Sequence, residues 1–128
     1  MEIFTAVREG TVEEVRSILE RTIDINVRNE AGRTPLMCAV QRGNPEIVRL
    51  MLENEAYIDA SDLEGCTPLI LAVRTNTDAD VVTVLLDAGA DTLIRSRELK
   101  NALDYAAENP AINGTEQYQR LYKAFYGY

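Results

Sequence analysis

A nine-residue block recurs in this chain at a fixed offset, and the recurrence constrains the fold more than any other feature. Residues 32–40 read Gly-Arg-Thr-Pro-Leu-Met-Cys-Ala-Val, and residues 65–73, 33 positions later, read Gly-Cys-Thr-Pro-Leu-Ile-Leu-Ala-Val. The same offset relates weaker matches near both ends of the chain, with one residue added near Thr77. A period of this length is typical of stacked helical repeats, in which each unit packs against its neighbours.

Each repeat is predicted to contain two short helices. Thr34 and Thr67 suit the N-cap position of the first helix, and each is followed by a proline, which is favoured at the first helical position. Gly43 suits the left-handed residue that ends this helix, and Asn44 caps the second helix. Isolated helices of this length are marginal in water, so they must pack on each other. The predicted repeats are about 1–28, 29–61, 62–95 and 96–128.

The repeated segments resemble the ankyrin repeat. The resemblance rests on residues 29–39 and 62–72, with their Thr-Pro-Leu motif, and on the Gly-Ala-Asp tail at 89–91. Two repeats match the family strongly and two match it weakly. The resemblance implies an all-α fold, an ankyrin-repeat solenoid of stacked helix-turn-helix units with projecting turns, as one domain over residues 1–128. It also implies a non-enzymatic module that binds another protein through its concave face.

The chain departs from the family pattern at several positions. Met37 and Ile70 stand where the family has histidine, and Glu55 stands where it has glycine. In the fourth unit Leu99 takes a glycine position, where a positive φ would cost about 1 kcal/mol. We therefore expect that turn to be rebuilt, with Asn101 still capping the helix that follows. Because the fourth unit breaks most family rules, it is expected to fray first.

The last predicted helix carries aromatic residues at helical spacing. Thr115 suits its N-cap, and Tyr118, Leu121, Tyr122 and Phe125 lie three or four residues apart. We interpret this stripe mainly as the layer that seals the open end of the solenoid. A surface for partner docking or for self-association is the alternative.

The composition excludes several classes of function. The net charge of −8 argues against non-specific nucleic-acid binding, and no apolar run reaches the roughly 18 residues of a membrane span. The N-terminus lacks the features of a signal peptide, so a cytoplasmic location is expected. Cys38 and Cys66 occupy unlike positions in their repeats and are predicted to be free thiols.

No catalytic, cofactor or metal site is predicted. The chain has no histidine, which removes the commonest general base and the Ser-His and Cys-His pairs. Two cysteines without metal-ligand spacing do not form a zinc site. Only a weak hydrolase using carboxylates remains as an enzymatic alternative, and residues such as Glu13, Glu46 and Asp80 are predicted to lie on solvent-exposed helix faces.

The family geometry implies a partner-binding face made of the turns and of the exposed positions on the first helices. The candidate residues are Arg8, Arg33, Gln41, Arg42, Leu63, Glu64, Cys66, Arg74, Thr75, Arg97 and Lys100. This face holds 8 of the 13 basic residues but 5 of the 21 acidic residues. Its bases are Arg8, Arg28, Arg33, Arg42, Arg74, Arg95, Arg97 and Lys100, and its acids are Glu9, Glu30, Glu64, Glu98 and Glu108.

The charge pattern suggests a partner with an acidic or mixed-charge segment, although arginine is also simply a good solvated residue. Arg33, Arg42 and Arg74 are the hypothetical carboxylate anchors, and Leu63 and Cys66 would add apolar contact. Two alternatives remain open: an inhibitor or immunity-type protein that blocks a partner enzyme, and a structural or oligomerising repeat protein. A monomer is the expected state.

Overall fold

A computed structural model describes residues 2–21, 24–75 and 79–127. Within these ranges the backbone forms eight α-helices and no β-strand, as the repeat pattern predicts. Asn76, which like Glu55 stands at a position where the ankyrin pattern has glycine, lies outside the described residues. The helices are α1 (Ile3–Glu9), α2 (Val12–Arg21), α3 (Pro35–Arg42), α4 (Pro45–Glu53), α5 (Pro68–Arg74), α6 (Ala79–Asp87), α7 (Ala102–Glu108) and α8 (Glu116–Tyr126).

The helices form two layers of a linear stack. The first helices α1, α3, α5 and α7 pack on one another in chain order, and the second helices α2, α4, α6 and α8 do the same. Each first helix also packs against the second helix of its own pair. Each inner pair therefore contacts the pairs before and after it, which is the arrangement of a solenoid.

Capping residues begin and end these short helices as the sequence predicts. The Thr34 and Thr67 hydroxyls accept hydrogen bonds from the third backbone N–H of α3 and α5, at 3.4 and 3.2 Å. Asn44 caps α4 in the same way, and Gly43 ends α3 in the left-handed conformation with φ 81°. At α2, the Thr11 hydroxyl accepts from the Glu14 backbone N–H while the Glu14 carboxylate accepts from that of Thr11.

One repeat position allows the first helices of adjacent units to pack closely against one another. It holds an alanine in every unit, and each of the four is completely buried: Ala6, Ala39, Ala72 and Ala106. A methyl side chain lets adjacent helices pack tightly. Met37 and Ile70, at the family's histidine position, are buried too and fill the core with apolar atoms.

The expectation that the turn of the fourth unit, at residues 95–100, is rebuilt is wrong. Leu99 adopts φ +64°, and the turn keeps the hydrogen bonds of its predecessor, from Ser96 N–H to the Lys100 carbonyl and from Leu99 N–H to the Ser96 carbonyl, both 2.9 Å. The Leu99 side chain is 73% exposed, so the unusual backbone angle brings no clash with the core. The turn's hydrogen bonds and a full capping box at Asn101 outweigh a strain of about 1 kcal/mol.

Helix α8 covers the end of the stack with only part of its aromatic stripe. Thr115 caps the helix as predicted, and Leu121 is buried beneath it, with Tyr118 half-buried. In contrast, Tyr122 and Phe125 are more than a third exposed, and Phe125 packs edge-on against the exposed ring of Tyr126. The interpretation of the whole stripe as a seal is therefore wrong for its outer half.

Candidate partner-binding face

The three projecting turns and the exposed ends of the first helices lie along one side of the stack, which we call the turn face. The turns comprise residues 28–33, 61–66 and 95–100. Neighbouring turns are joined by backbone hydrogen bonds, from Leu63 N–H to the Ala31 carbonyl at 3.1 Å and from Arg97 N–H to the Glu64 carbonyl at 2.9 Å. These bonds fix one turn against the next, so side chains on adjacent turns hold a defined spacing.

Arg33 connects the first turn to the second. Its Nε donates to Asp62 Oδ2 at 3.2 Å, and its Nη2 lies 3.5 Å from Glu64 Oε1. The Asp62 side chain is only 1% exposed, and its other oxygen accepts the backbone N–H groups of Glu64 and Cys66. The Arg33 guanidinium is therefore the countercharge of a buried carboxylate, which limits what it offers to a partner.

Arg42 holds the end of helix α1. Its Nη1 donates to the carbonyls of Val7 and Gly10, at 3.1 and 2.7 Å, and so satisfies carbonyls at the C-terminal end of the helix. Asn109, at the same repeat position two units later, donates from Nδ2 to the Val73 carbonyl at 2.6 Å. The family geometry predicts an exposed side chain at this position of the first helix, which is wrong for Asn109, because this role buries it.

The sequence analysis does not predict this capping position, although the sequence carries a signal for it. Side chains with several N–H donors recur there, in arginine and asparagine, at the end of a first helix. The unit between them uses Thr75, whose hydroxyl donates to the Leu71 carbonyl of its own helix at 2.9 Å. Gln41, one position before Arg42, is half-buried.

Cys66 lies inside the turn and not on its surface. The side chain is completely buried, so the hypothesis that it adds apolar contact to a partner is wrong. Both cysteines are free thiols, as predicted. Burial raises the pKa of the Cys38 and Cys66 thiols, which keeps them protonated near neutral pH.

Exposed leucines mark two of the three turns. Leu63 is 61% exposed on the second turn, and Leu99 stands out on the third. The base of Leu63 lies close to the first turn, since a Cβ added to Gly32 would come within 3.0 Å of its Cγ. Arg97, next to these leucines, is also exposed. These three side chains are directed to solvent from turns that are themselves fixed.

A cleft of about 410 Å³ lies between the third turn and helix α7. Tyr105 lines this cleft, and its hydroxyl is 2.6 Å from the Ser96 hydroxyl. Two cations lie over the Tyr105 ring: the Arg74 guanidinium, 5.1 Å from the ring centroid, and the Lys100 ammonium, 5.6 Å from it. Lys100 Nζ also donates to Glu108 Oε1 at 2.8 Å, which raises the pKa of Lys100. Lys100 is thus already paired within the chain.

A second cleft, of about 770 Å³, lies at the other end of the turn face. It is lined by Phe4 and Arg8 of α1 and by residues 28–31 of the first turn. Arg28 is fixed there by its Nη1, which donates to the Gly32 and Ser61 carbonyls at 2.8 and 2.6 Å. Arg8 lies over the Phe4 ring at 5.6 Å.

The described residues contain no group of three or more acidic or cysteine side chains placed to hold a metal ion. Glu13, Glu14, Glu46 and Asp80 are exposed on second helices, as the sequence analysis expects. Over the ranges described above, no helix is both long and apolar enough to cross a membrane.

The stacked helical hairpins and hydrogen-bonded turns define a repeat protein of the solenoid class. A family model for ankyrin repeats, in three copies, matches residues 3–96, which is more than half of the chain. The chain therefore belongs to the ankyrin-repeat family, whose members generally act as modules that bind other proteins. No curated protein matches it. The matched range ends in the third turn, so the fourth helix pair, α7 and α8, lies beyond it.

Proposed function

We propose that this chain is a non-enzymatic module that binds a partner protein through the turn face. The observation that carries the proposal is the pair of leucines on adjacent hydrogen-bonded turns, Leu63 and Leu99, which are 61% and 73% exposed. Neither is needed to build the core, and Leu99 keeps a backbone angle that favours glycine. Exposed apolar groups on a rigid frame, beside the cation of Arg97, are suited to anchor a partner.

The partner is proposed to carry an acidic or mixed-charge segment. Internal contacts divide the cations of the turn face into two groups. Arg28, Arg33, Arg42 and Lys100 are bound to carbonyl or carboxylate oxygens within the chain. Arg8, Arg95 and Arg97 are exposed and have no ion pair among the described residues, and the exposed Arg74 has one long pair, to Glu64 Oε2 at 4.0 Å. Of the three predicted carboxylate anchors, Arg33 and Arg42 therefore fall in the bound group, and Arg74 falls in the group that we propose for a partner.

The test is photo-crosslinking in the source cell. A benzophenone amino acid placed at Leu63 should capture a partner protein that mass spectrometry identifies. The same probe at Arg16, exposed on the second helix α2, should not capture it. The double variant Leu63→Asp with Arg97→Glu, probed at Leu99, should lose the partner, while Arg49→Glu on α4 should retain it. Equal capture from both layers of the stack would refute the proposal.

An inhibitory role stays a second possibility within the same proposal. Once the partner is identified, its activity can be assayed with and without the chain. Loss of activity at stoichiometric concentration would indicate an inhibitor, and unchanged activity an adaptor. A cytoplasmic location and a single domain over residues 1–128 are part of the proposal, and cell fractionation and limited proteolysis test them.

One observation supports the alternative of an oligomerising role, namely the exposed aromatic rings on α8. Tyr122 and Tyr126 have ring centroids 4.6 Å apart, and Phe125 lies beside them at 4.9 Å from Tyr126. Gel filtration across a wide concentration range, before and after deletion of residues 115–128, tests this. We propose a monomer at physiological concentration, and a dimer that the deletion abolishes would favour the oligomerising role.

A further inference from the structure

Two arginines on the turn face occupy the same repeat position and lie two repeats apart. Arg8 is in the last turn of α1 and Arg74 ends α5, 66 positions later in the sequence. Gln41 takes this position on α3, between them, and Glu108 takes it on α7. Because the first helices are stacked in order, these four side chains form a row across the face.

Each of the two arginines contacts a thiol sulfur as well as an aromatic ring, a combination that the described contacts of the other cations on the face lack. Arg8 Nη2 lies 3.8 Å from Cys38 Sγ, and Arg74 Nη1 lies 3.1 Å from Cys66 Sγ. Both guanidinium groups also lie over aromatic rings, as described above. A protonated thiol is a weak acceptor with no charge, and a ring face supplies only part of a countercharge.

Carboxylates near the two arginines leave them incompletely neutralised. Among the described residues no carboxylate lies within 4.0 Å of Arg8. Hydrogen bonds from Thr5, and after them the charge of Arg8, lower the pKa of Glu2. Arg74 has one such carboxylate, Glu64 Oε2, at 4.0 Å, and Glu64 also faces Arg33 at 3.5 Å. Each guanidinium is therefore positioned by soft contacts and keeps most of its five N–H donors for an external oxygen.

Each arginine also borders an open cleft. Arg8 lines the cleft of about 770 Å³ at one end of the face, and Arg74 lines the cleft of about 410 Å³ near the other. A carboxylate that enters either cleft would contact a guanidinium group that already packs on an aromatic ring. Preorganisation of this kind reduces the entropy lost on binding.

The stack fixes the distance between the two arginines. Packed helices lie about 8–10 Å apart, so α1 and α5 are separated by about 16–20 Å. We propose, on the basis of the proposed function, that this row binds an acidic helical segment of a partner protein through two carboxylates about 16–20 Å apart. On an α-helix, residues 11 apart lie on one face and about 16.5 Å apart along the axis.

The other members of the row set the position of that segment. Gln41 lies between the arginines and offers a neutral amide, which accepts a polar side chain without favouring a third charge. Glu108, beyond Arg74, is an acidic residue that is already paired with Lys100, so this position offers no free cation to a carboxylate displaced by one repeat. The row therefore favours one register of the acidic pair.

The test uses helical peptides as rulers. Two alanine- and glutamine-rich peptides of equal length and charge carry two glutamates, 11 residues apart in one and 4 residues apart in the other. Titration at low ionic strength is followed by the side-chain Nε–Hε resonances of Arg8 and Arg74 in nitrogen-15 NMR spectra. We expect both resonances to shift together and the 11-residue spacing to bind about three- to fivefold more tightly.

Matched variants complete the experiment. Arg8→Gln and Arg74→Gln should each remove the preference for the longer spacing, whereas Arg16→Gln, with the same loss of charge on α2, should leave it unchanged. If Arg74→Gln loses the native spectrum, Arg74→Lys keeps a cation without the planar fork and should reduce the preference.

Equal affinity for the two rulers, or a preference that survives Arg8→Gln, would overturn this proposal. Such a result leaves the proposed function standing as long as the crosslink at Leu63 still captures a partner. If instead the probe at Arg16 captured the partner as well as the probe at Leu63, the proposed function itself would be refuted.

Discussion

The hydrogen bonds between turns predict a difference between two glycine-to-alanine substitutions. Gly65 has φ +77°, and a Cβ there would lie 2.9 Å from the backbone nitrogen of Arg97 and 3.2 Å from the carbonyl carbon of Ser96. Gly89 has φ +87°, but a Cβ there would meet nothing within 4 Å. Both substitutions introduce left-handed strain of about 1–2 kcal/mol, and only Gly65→Ala also displaces a neighbouring turn.

The additional loss can be estimated from the bond that the Cβ disturbs. The Arg97 N–H donates to the Glu64 carbonyl at 2.9 Å, and backbone atoms cannot move aside without lengthening this bond. Its loss costs about 0.5–1.5 kcal/mol. We therefore expect Gly65→Ala to reduce the free energy of unfolding by about 1.5–2.5 kcal/mol, and Gly89→Ala by about 1 kcal/mol, because alanine also restricts the unfolded chain.

Urea denaturation followed by far-UV circular dichroism measures both values. The slope of the free energy against urea should stay constant, so that the shift in midpoint reports stability alone. Equal losses for the two variants would show that the bonds between turns do not couple adjacent repeats. A greater loss for Gly89→Ala would refute the reasoning outright.

Four further predictions follow from individual contacts. Arg42→Ala should lower the unfolding free energy by about 1.5–3 kcal/mol, because it removes charged hydrogen bonds to the end of α1, and Arg16→Ala should change it by less than about 0.5 kcal/mol in the same urea assay. Leu99→Gly should leave stability unchanged or raise it by up to about 1 kcal/mol, since relief of strain exceeds the added freedom of the unfolded chain; a lower melting temperature would contradict this. Since burial raises the pKa of both thiols, Cys38 and Cys66 should react with Ellman's reagent at pH 8 only as fast as the chain unfolds, and rapid reaction of the native protein would show that they are accessible. Amide exchange should be fastest in the fourth helix pair, α7 and α8, and slowest exchange there would contradict the expected order of fraying.

Local sequence signals predicted most of the fold. The Thr-Pro and Asn-Pro pairs located helix starts because capping depends only on a few adjacent residues. The period located the core, since the same buried alanine recurs in each unit, including across the added residue near Thr77. The free cysteines followed from their unlike repeat positions.

The errors share a physical cause. Leu99 at a glycine position predicts a rebuilt turn, yet the turn is held by its own hydrogen bonds and by the preceding turn. The position of Cys66 in its own turn predicts an exposed side chain, yet the side chain is buried. Contacts with neighbouring repeats determine the conformation of the turn and the burial of its side chains, and the residue spacing within one repeat does not reveal these contacts.

The candidate site was predicted as a region and not as a set of anchors. Residue positions identified which cations face outward, but not which of them already have partners. Arg33 and Arg42 are bound inside the chain by Asp62 and by the end of α1, respectively. Of the three predicted anchors, Arg74, which contacts a thiol sulfur, is the one that remains available to a partner.

Hydrogen–deuterium exchange of the chain with its crosslink-identified partner tests the central claim most directly. We predict new protection in the turns at residues 61–66 and 95–100 and at the exposed ends of α3 and α5, with unchanged exchange in α2 and α4. Protection confined to the second helices, with the turns exchanging as in the free chain, would contradict the assignment of the turn face as the binding surface.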